Sequence, residues 1–183
     1  VLRKLTDGEV HLGLRRNEEN NIFEQAKGVE LHYFSGPHPA GNVGVQIHHI
    51  DPINKGDIVW TLNPQDVITI GKLFKDGIYD PERTIAVTGS EINDPKYFKT
   101  RIGACVDTML KDNLKAGDIR VISGNVLFGT TIGASGYLSF FDHQITAIPE
   151  GRDPEFIGWL LPSYSRPSMS KTFLSYLNPN KRF

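Results

Sequence analysis

Four of the six histidines in this 183-residue chain lie between His32 and His49, within HYFSGPHPAGNVGVQIHHIDPI. Imidazole is the side chain best suited to metal ligation and proton transfer near neutral pH, so any chemistry should show here first. A metal site needs donors that converge. His48 and His49 are adjacent, and in an extended segment they point to opposite faces and cannot share one ion. His32 shares its strand face with Phe34, and no cysteine or acid is expected at ligand spacing beside it. The chain has no HExxH, HxH or CxxC pairing, so its histidines are expected to be hydrogen-bonded loop and strand residues, with no metal bound. Nucleophilic catalysis finds no better footing. There is no GxSxG elbow, and Cys105, in the apolar run ACVDTML, is expected to be a buried, inert thiol. His143 sits in an alternating strand pattern and is expected at the surface. The glycines Gly124, Gly129, Gly133 and Gly136 form neither GxGxxG nor GK[ST], and are expected to turn hairpins and bulges rather than cradle a nucleotide.

The segment SGPHPAGNVG is distinguished by stiffness. Pro37 and Pro39 fix two φ angles and bias the residues before them towards extended backbone. His38 is thereby held on a rigid arch between Gly36 and Gly41. Such an arch suits a ligand or partner contact, because little entropy is lost on binding. It suits a structural strand-to-strand connection equally well.

Around this loop, EVHLGLRR (9–16) and VELHYFSG (29–36) predict two strands. NEENNIFEQAKG between them predicts a helix capped by Asn17 and stopped by Gly28, which implies a parallel pair in an α/β layer. DIVWTL (57–62) predicts another extended run. NPQDVITIGKLFKDG predicts a helix with Asn63 as cap, Pro64 in its first turn, an apolar stripe of Val67, Ile68, Ile70, Leu73 and Phe74, and Gly77 as stop. YDPER marks a boundary. Beyond it, RTIAVTG (83–89) and KYFKTRIG (96–103) predict strands, ACVDTML (104–110) a short helix, and DIRVISGNVLFG (118–129) and YLSFFDHQITAIP (137–149) further strands. That order predicts a small β-grasp unit, with Val106, Met109 and Leu110 packing the helix on a mixed sheet. The tail predicts a loop and the start of a helix near Ser170–Leu177.

Composition sets outer limits. Hydrophobic residues make up 39% and charged residues 22% of the chain, and the formal net charge is −1. That is ordinary globular usage with no electrostatic footprint for nucleic acid. The single cysteine excludes an internal disulfide and a cysteine-ligated cluster, and fits a reducing compartment. No apolar run approaches the ~20 residues of a membrane helix, and the N-terminus lacks a signal-peptide pattern and an initiator Met. The chain is therefore expected to be an excised piece of a longer protein.

The motifs FSGPHPAGNVGVQIHHIDPI, VWTLNPQDVITIGKLF and GDIRVISGNVLFGT, in this order and spacing, resemble the A subunit of the bacterial Na+-translocating NADH:quinone oxidoreductase, Nqr. The resemblance continues through EGRDPEFIGWLLP and KTFLSYLNP. It implies the middle of that subunit, with a carrier-like N-terminal region and a helical C-terminal region outside it. It implies a Rossmann-like α/β part over residues 1–82, a soluble-ligand-binding β-grasp (SLBB) part over 83–150 and an extension over 151–183. Rnf and complex I subunits are more distant likenesses. They imply, as the alternative, a redox domain with its own flavin or NADH site. For the Nqr reading, the resemblance implies a peripheral subunit on the cytoplasmic face of the bacterial inner membrane. That complex oxidises NADH, reduces ubiquinone and exports Na+, with flavins and the iron–sulfur centre in other subunits. The fragment itself is expected to bind no flavin, cluster or metal and to be non-catalytic. Its expected partners are the other Nqr subunits, including the membrane subunits, with ubiquinone as a candidate ligand. The candidate contact residues are Tyr33, Phe34, Gly36, Pro37, His38, Pro39 and Gly41. His38 with Tyr33 and Phe34 would offer a quinone the donor and apolar walls it needs.

Overall fold

The computed structural model describes residues 1–18, 21–152, 154, 156 and 177. Two compact units emerge. One comprises Val1–Thr84 with Lys99–Ile102, the other Ile85–Phe98 with the described residues from Gly103 onward. The helix expected near Ser170–Leu177 lies outside the described residues, apart from Leu177 itself.

The first unit begins with a parallel pair, β1 (His11–Arg15) and β2 (Glu30–Phe34), in the register His11↔Glu30 through Arg15↔Phe34. Their connection departs from expectation. In place of a ten-residue helix capped by Asn17, the described residues hold a short 3-10 turn, Ile22–Gln25. Asn21 caps it, its side-chain oxygen accepting from the Phe23 N–H at 3.0 Å. Asparagine offers the backbone local bonds that compete with helix, so a run this rich in it caps and turns instead. After β2 come two helices, α1 (Val43–Ile50) and α2 (Pro64–Asp76). α1 falls where an extended loop is expected, because Val43, Gly44 and Val45 carry weak helix propensity. DIVWTL forms no strand. Ile58 and Trp60 are 81% and 86% exposed, and an alternating run without a ladder partner remains irregular.

α2 forms as its residues dictate. Asn63 and Asp66 make a reciprocal capping box, Pro64 opens the helix, and Gly77 ends it at φ +70° in the left-handed region where a side chain is costly. Its apolar stripe is only partly covered, with Ile68 and Phe74 59% and 61% exposed. Leu14 is the buried hydrophobic side chain among the described residues of this unit.

The chain also holds a five-stranded mixed sheet of order β4-β3-β7-β5-β6, from β3 (Glu82–Thr88), β4 (Lys96–Arg101), β5 (Ile119–Ser123), β6 (Thr130–Ile132) and β7 (Gln144–Pro149), of which Ile85–Thr88, Lys96–Phe98 and all of β5, β6 and β7 belong to the second unit. β7 runs parallel to β3 and antiparallel to β5, and β5 and β6 are antiparallel. The last strand thus inserts at the centre of the sheet, so closing the sheet requires a contact between distant parts of the chain. α3 (Asp107–Leu110) is shorter than expected, but Val106, Met109 and Leu110 join Ile85, Val87 and Ile145 in the core as the β-grasp reading requires. Cys105 precedes this helix instead of lying in it. It is half-buried, with its thiol 3.6 Å from the Ser135 carbonyl oxygen. His143 is also half-buried, just before β7, instead of lying on the surface. The glycine-rich segment is pinned from both sides. The buried Ser123 hydroxyl donates to Asp142 at 2.6 Å and accepts from the Ser139 N–H at 3.0 Å. Gly89 has φ +122°, and a Cβ there would meet the Ala147 carbonyl oxygen at 2.1 Å, so only glycine fits against β7.

One ion pair in this unit carries a pH signature. Arg120 grips Glu150 in a forked pair at 2.7 and 3.2 Å. The Arg120 hydrogen bonds hold the Glu150 carboxyl below its ordinary value, against a smaller opposing effect of partial desolvation. A depressed carboxyl contributes stability above its unfolded pKa of about 4.3, and loses it as pH falls through the folded value. Glu150→Gln should therefore melt below wild type at neutral pH, with the gap closing below pH ~4. Thermal melts from pH 7 to 3 test this, and a gap constant across that range would contradict it.

Candidate functional site

In a strand, successive side chains alternate between faces. One face of the β1–β2 pair therefore carries His11, Gly13 and Arg15 with Glu30, His32 and Phe34. The other carries Leu12 and Leu14 with Leu31 and Tyr33. Tyr33 and Phe34 therefore project to opposite faces of the pair. Tyr33 donates its hydroxyl to Glu24 at 3.3 Å. Partial desolvation, then the Glu24 carboxylate, push that hydroxyl above its ordinary value. Phe34 is half-buried, and its carbonyl oxygen accepts from the Arg16 N–H at 2.9 Å.

The loop that follows runs from the carboxyl end of β2 into the start of α1. It therefore joins strand to helix, not strand to strand. Gly36, Pro37, His38, Pro39 and Gly41 are all exposed. Two overlapping turns shape the arch, with the Ala40 N–H donating to the Pro37 carbonyl at 3.0 Å and the Asn42 N–H to the Pro39 carbonyl at 2.8 Å. The His38–Pro39 peptide is cis. Because α1 is helical, His48 and His49 do not point to opposite faces as expected. Their rings meet edge to face with centroids 5.6 Å apart.

Two residues that sequence reasoning separated are brought together. His11 Nδ1 lies 3.1 Å from His32 Nε2 and 3.4 Å from Glu30 Oε2. His32 Nε2 lies 3.8 Å from the same Glu30 oxygen. The expectation that no acid accompanies His32 is corrected here, since Glu30 sits two residues earlier on the same face. The signal is a Glu-x-His pair in one predicted strand and a histidine opening its parallel neighbour. Elsewhere in this unit, a cleft lined by Asp80, Glu82, Lys99 and Arg101 is charged and open, and lacks the apolar walls a quinone requires.

Two family models match the chain. Residues 1–79 match the NqrA second alpha/beta domain, and residues 84–134 match the NQRA C-terminal domain, an SLBB module. The chain belongs to the NqrA family. Relatives named as the A subunit of Na(+)-translocating NADH-quinone reductase align with all of it, at 41% identity in Yersinia pestis bv. Antiqua and 42% in Neisseria meningitidis serogroup B. A third such relative, from Alcanivorax borkumensis, is 42% identical, again over 100% of the chain. The chain spans 41% of the length of each of these relatives. The expected mixed α/β architecture is what this NqrA-family chain adopts. No helix among its described residues is long and apolar enough to cross a membrane.

Proposed function

We propose that this chain is the central part of a peripheral subunit in a respiratory complex that couples NADH oxidation and ubiquinone reduction to Na+ export. The observation that carries the proposal is end-to-end alignment, at 41% identity, with a relative named as the A subunit of Na(+)-translocating NADH-quinone reductase. Its part is to supply assembly contacts to the other subunits, the membrane subunits among them, at the cytoplasmic face of the inner membrane. Ubiquinone is its candidate ligand. Flavin and iron–sulfur chemistry belongs to other subunits. The alternative, a redox domain with its own flavin or NADH site, has less support, because both matching models describe NqrA domains.

The arch Gly36–Gly41 is the contact we assign to this role. Ligands of α/β layers gather outside the carboxyl ends of parallel strands, and this exposed loop leaves β2 at that end. His38→Ala, placed in the full-length protein of the assembled complex, tests it. The melting temperature should hold while quinone reductase activity or assembly falls. Loss of several kcal/mol of stability, on the scale of a broken buried network, would make His38 scaffold instead. Unchanged melting, activity and assembly would remove His38 from the contact.

A further inference from the structure

We propose that His11, Glu30 and His32 form a binding site for a divalent transition-metal ion of the Zn2+ class on the outer face of the β1–β2 pair. Three donor atoms, His11 Nδ1, His32 Nε2 and Glu30 Oε2, stand 3.1, 3.4 and 3.8 Å apart. The point equidistant from all three lies about 2.0 Å from each, against the ~2.0–2.2 Å bonds that Zn2+ makes to imidazole nitrogen and carboxylate oxygen. An ion at about 2.1 Å would thus sit slightly out of the donor plane, with its fourth tetrahedral position left to water. No donor has to move far to reach it.

The donor set also selects among ions. Two imidazoles and one carboxylate suit Zn2+, Ni2+ or Cu2+, whereas Mg2+ and Ca2+ prefer oxygen alone. Entry is open, since the side chains of His11 and His32 are each 29% exposed and that of Glu30 57%. Glu9 approaches from the far side of His11, with its carboxylate 3.9 Å from Nε2. The ladder register holds the donors in place, because His11 and Glu30 are direct partners and His32 is opposite Gly13. Gly13 has no side chain to intrude, and the space its Cβ would take is held by the Gln46 amide, 2.5 Å away.

Without an ion, the same groups form an ordinary hydrogen-bonded cluster in which one imidazole donates to the other. With an ion, they tie two strands whose ligands are 21 residues apart, in a unit with little buried apolar surface. An ion held only by the folded ladder raises the melting temperature as its concentration increases. This site is independent of the Nqr reading and of the His38 arch.

Zn2+ titration of the tag-free full-length protein, followed by calorimetry and thermal melting, tests the proposal. Wild type should bind an equivalent of Zn2+ and melt higher with it. His11→Ala, His32→Ala and Glu30→Gln should each weaken that equivalent by at least about tenfold, since even outer-shell partners of metal ligands are worth that much. His48→Ala should bind as wild type does. Glu30→Gln keeps the shape of an exposed side chain, so it decides the matter if a histidine variant fails to fold. Absence of the equivalent, or its survival in Glu30→Gln and the foldable histidine variants, would overturn the proposal.

Discussion

Asp66→Ala is expected to destabilise the first unit by about 1–3 kcal/mol, through the lost charge-assisted bond to Arg83 and the lost capping box of α2. Asp66 performs two tasks. One carboxylate oxygen accepts from Arg83, whose side chain is only 3% exposed. The other accepts from the Asn63 N–H at 3.3 Å and completes the capping box of α2. The adjacent Gln65 amide makes two 2.8 Å bonds to the Thr84 backbone. The start of α2 is therefore fastened to the start of β3 by polar contacts, and Asp66 supplies the charged one. Replacing both partners, as Asp66→Ala with Arg83→Met, should cost less than the sum of the two single changes, because the ion pair couples them. Urea unfolding of the single and double variants is the measurement. A loss under about 1 kcal/mol for Asp66→Ala, the worth of an exposed pair, would mean that Arg83 is satisfied without it.

Ile145→Ala is expected to cost about 2–5 kcal/mol, through lost burial and the cavity left behind. Ile145 is fully buried on β7, the central strand, and belongs to the cluster holding Ile85, Val87 and Leu138. A cavity there is walled by strands on both sides, so collapse is limited and the upper part of the range applies. Native-state hydrogen exchange adds a spatial readout. Ile145→Ala should lower protection in β5 and β7, and Asp66→Ala should lower it in α2. Equal loss everywhere in both variants would contradict the division into two units.

The candidate site was half legible. Pro37 and Pro39 announce the arch because their effect on φ is local and needs no knowledge of the fold. In the His11–Glu30–His32 cluster the Glu30–His32 pair was readable along one strand, but His11 joins it only through strand pairing across 21 residues, which local spacing rules do not count. Tyr33 and Phe34 show the opposite limit of reading along the chain. Being adjacent in sequence made them look like one surface, whereas the strand sends them to opposite faces.

By itself, the sequence determined several features whose cause lies within a few residues. Asn63, Pro64, Asp66 and Gly77 bound α2 through capping and a left-handed stop. Alternation in Glu82–Thr88 marks a strand with one buried face, and Val106, Met109 and Leu110 mark the inner side of a short turn of helix. Tertiary structure alone decided the rest. It left Ile58 and Trp60 without a ladder. It also threaded β7 between β3 and β5. For β7 the deciding energy is burial and ladder bonding to residues distant in the chain, which no local pattern encodes.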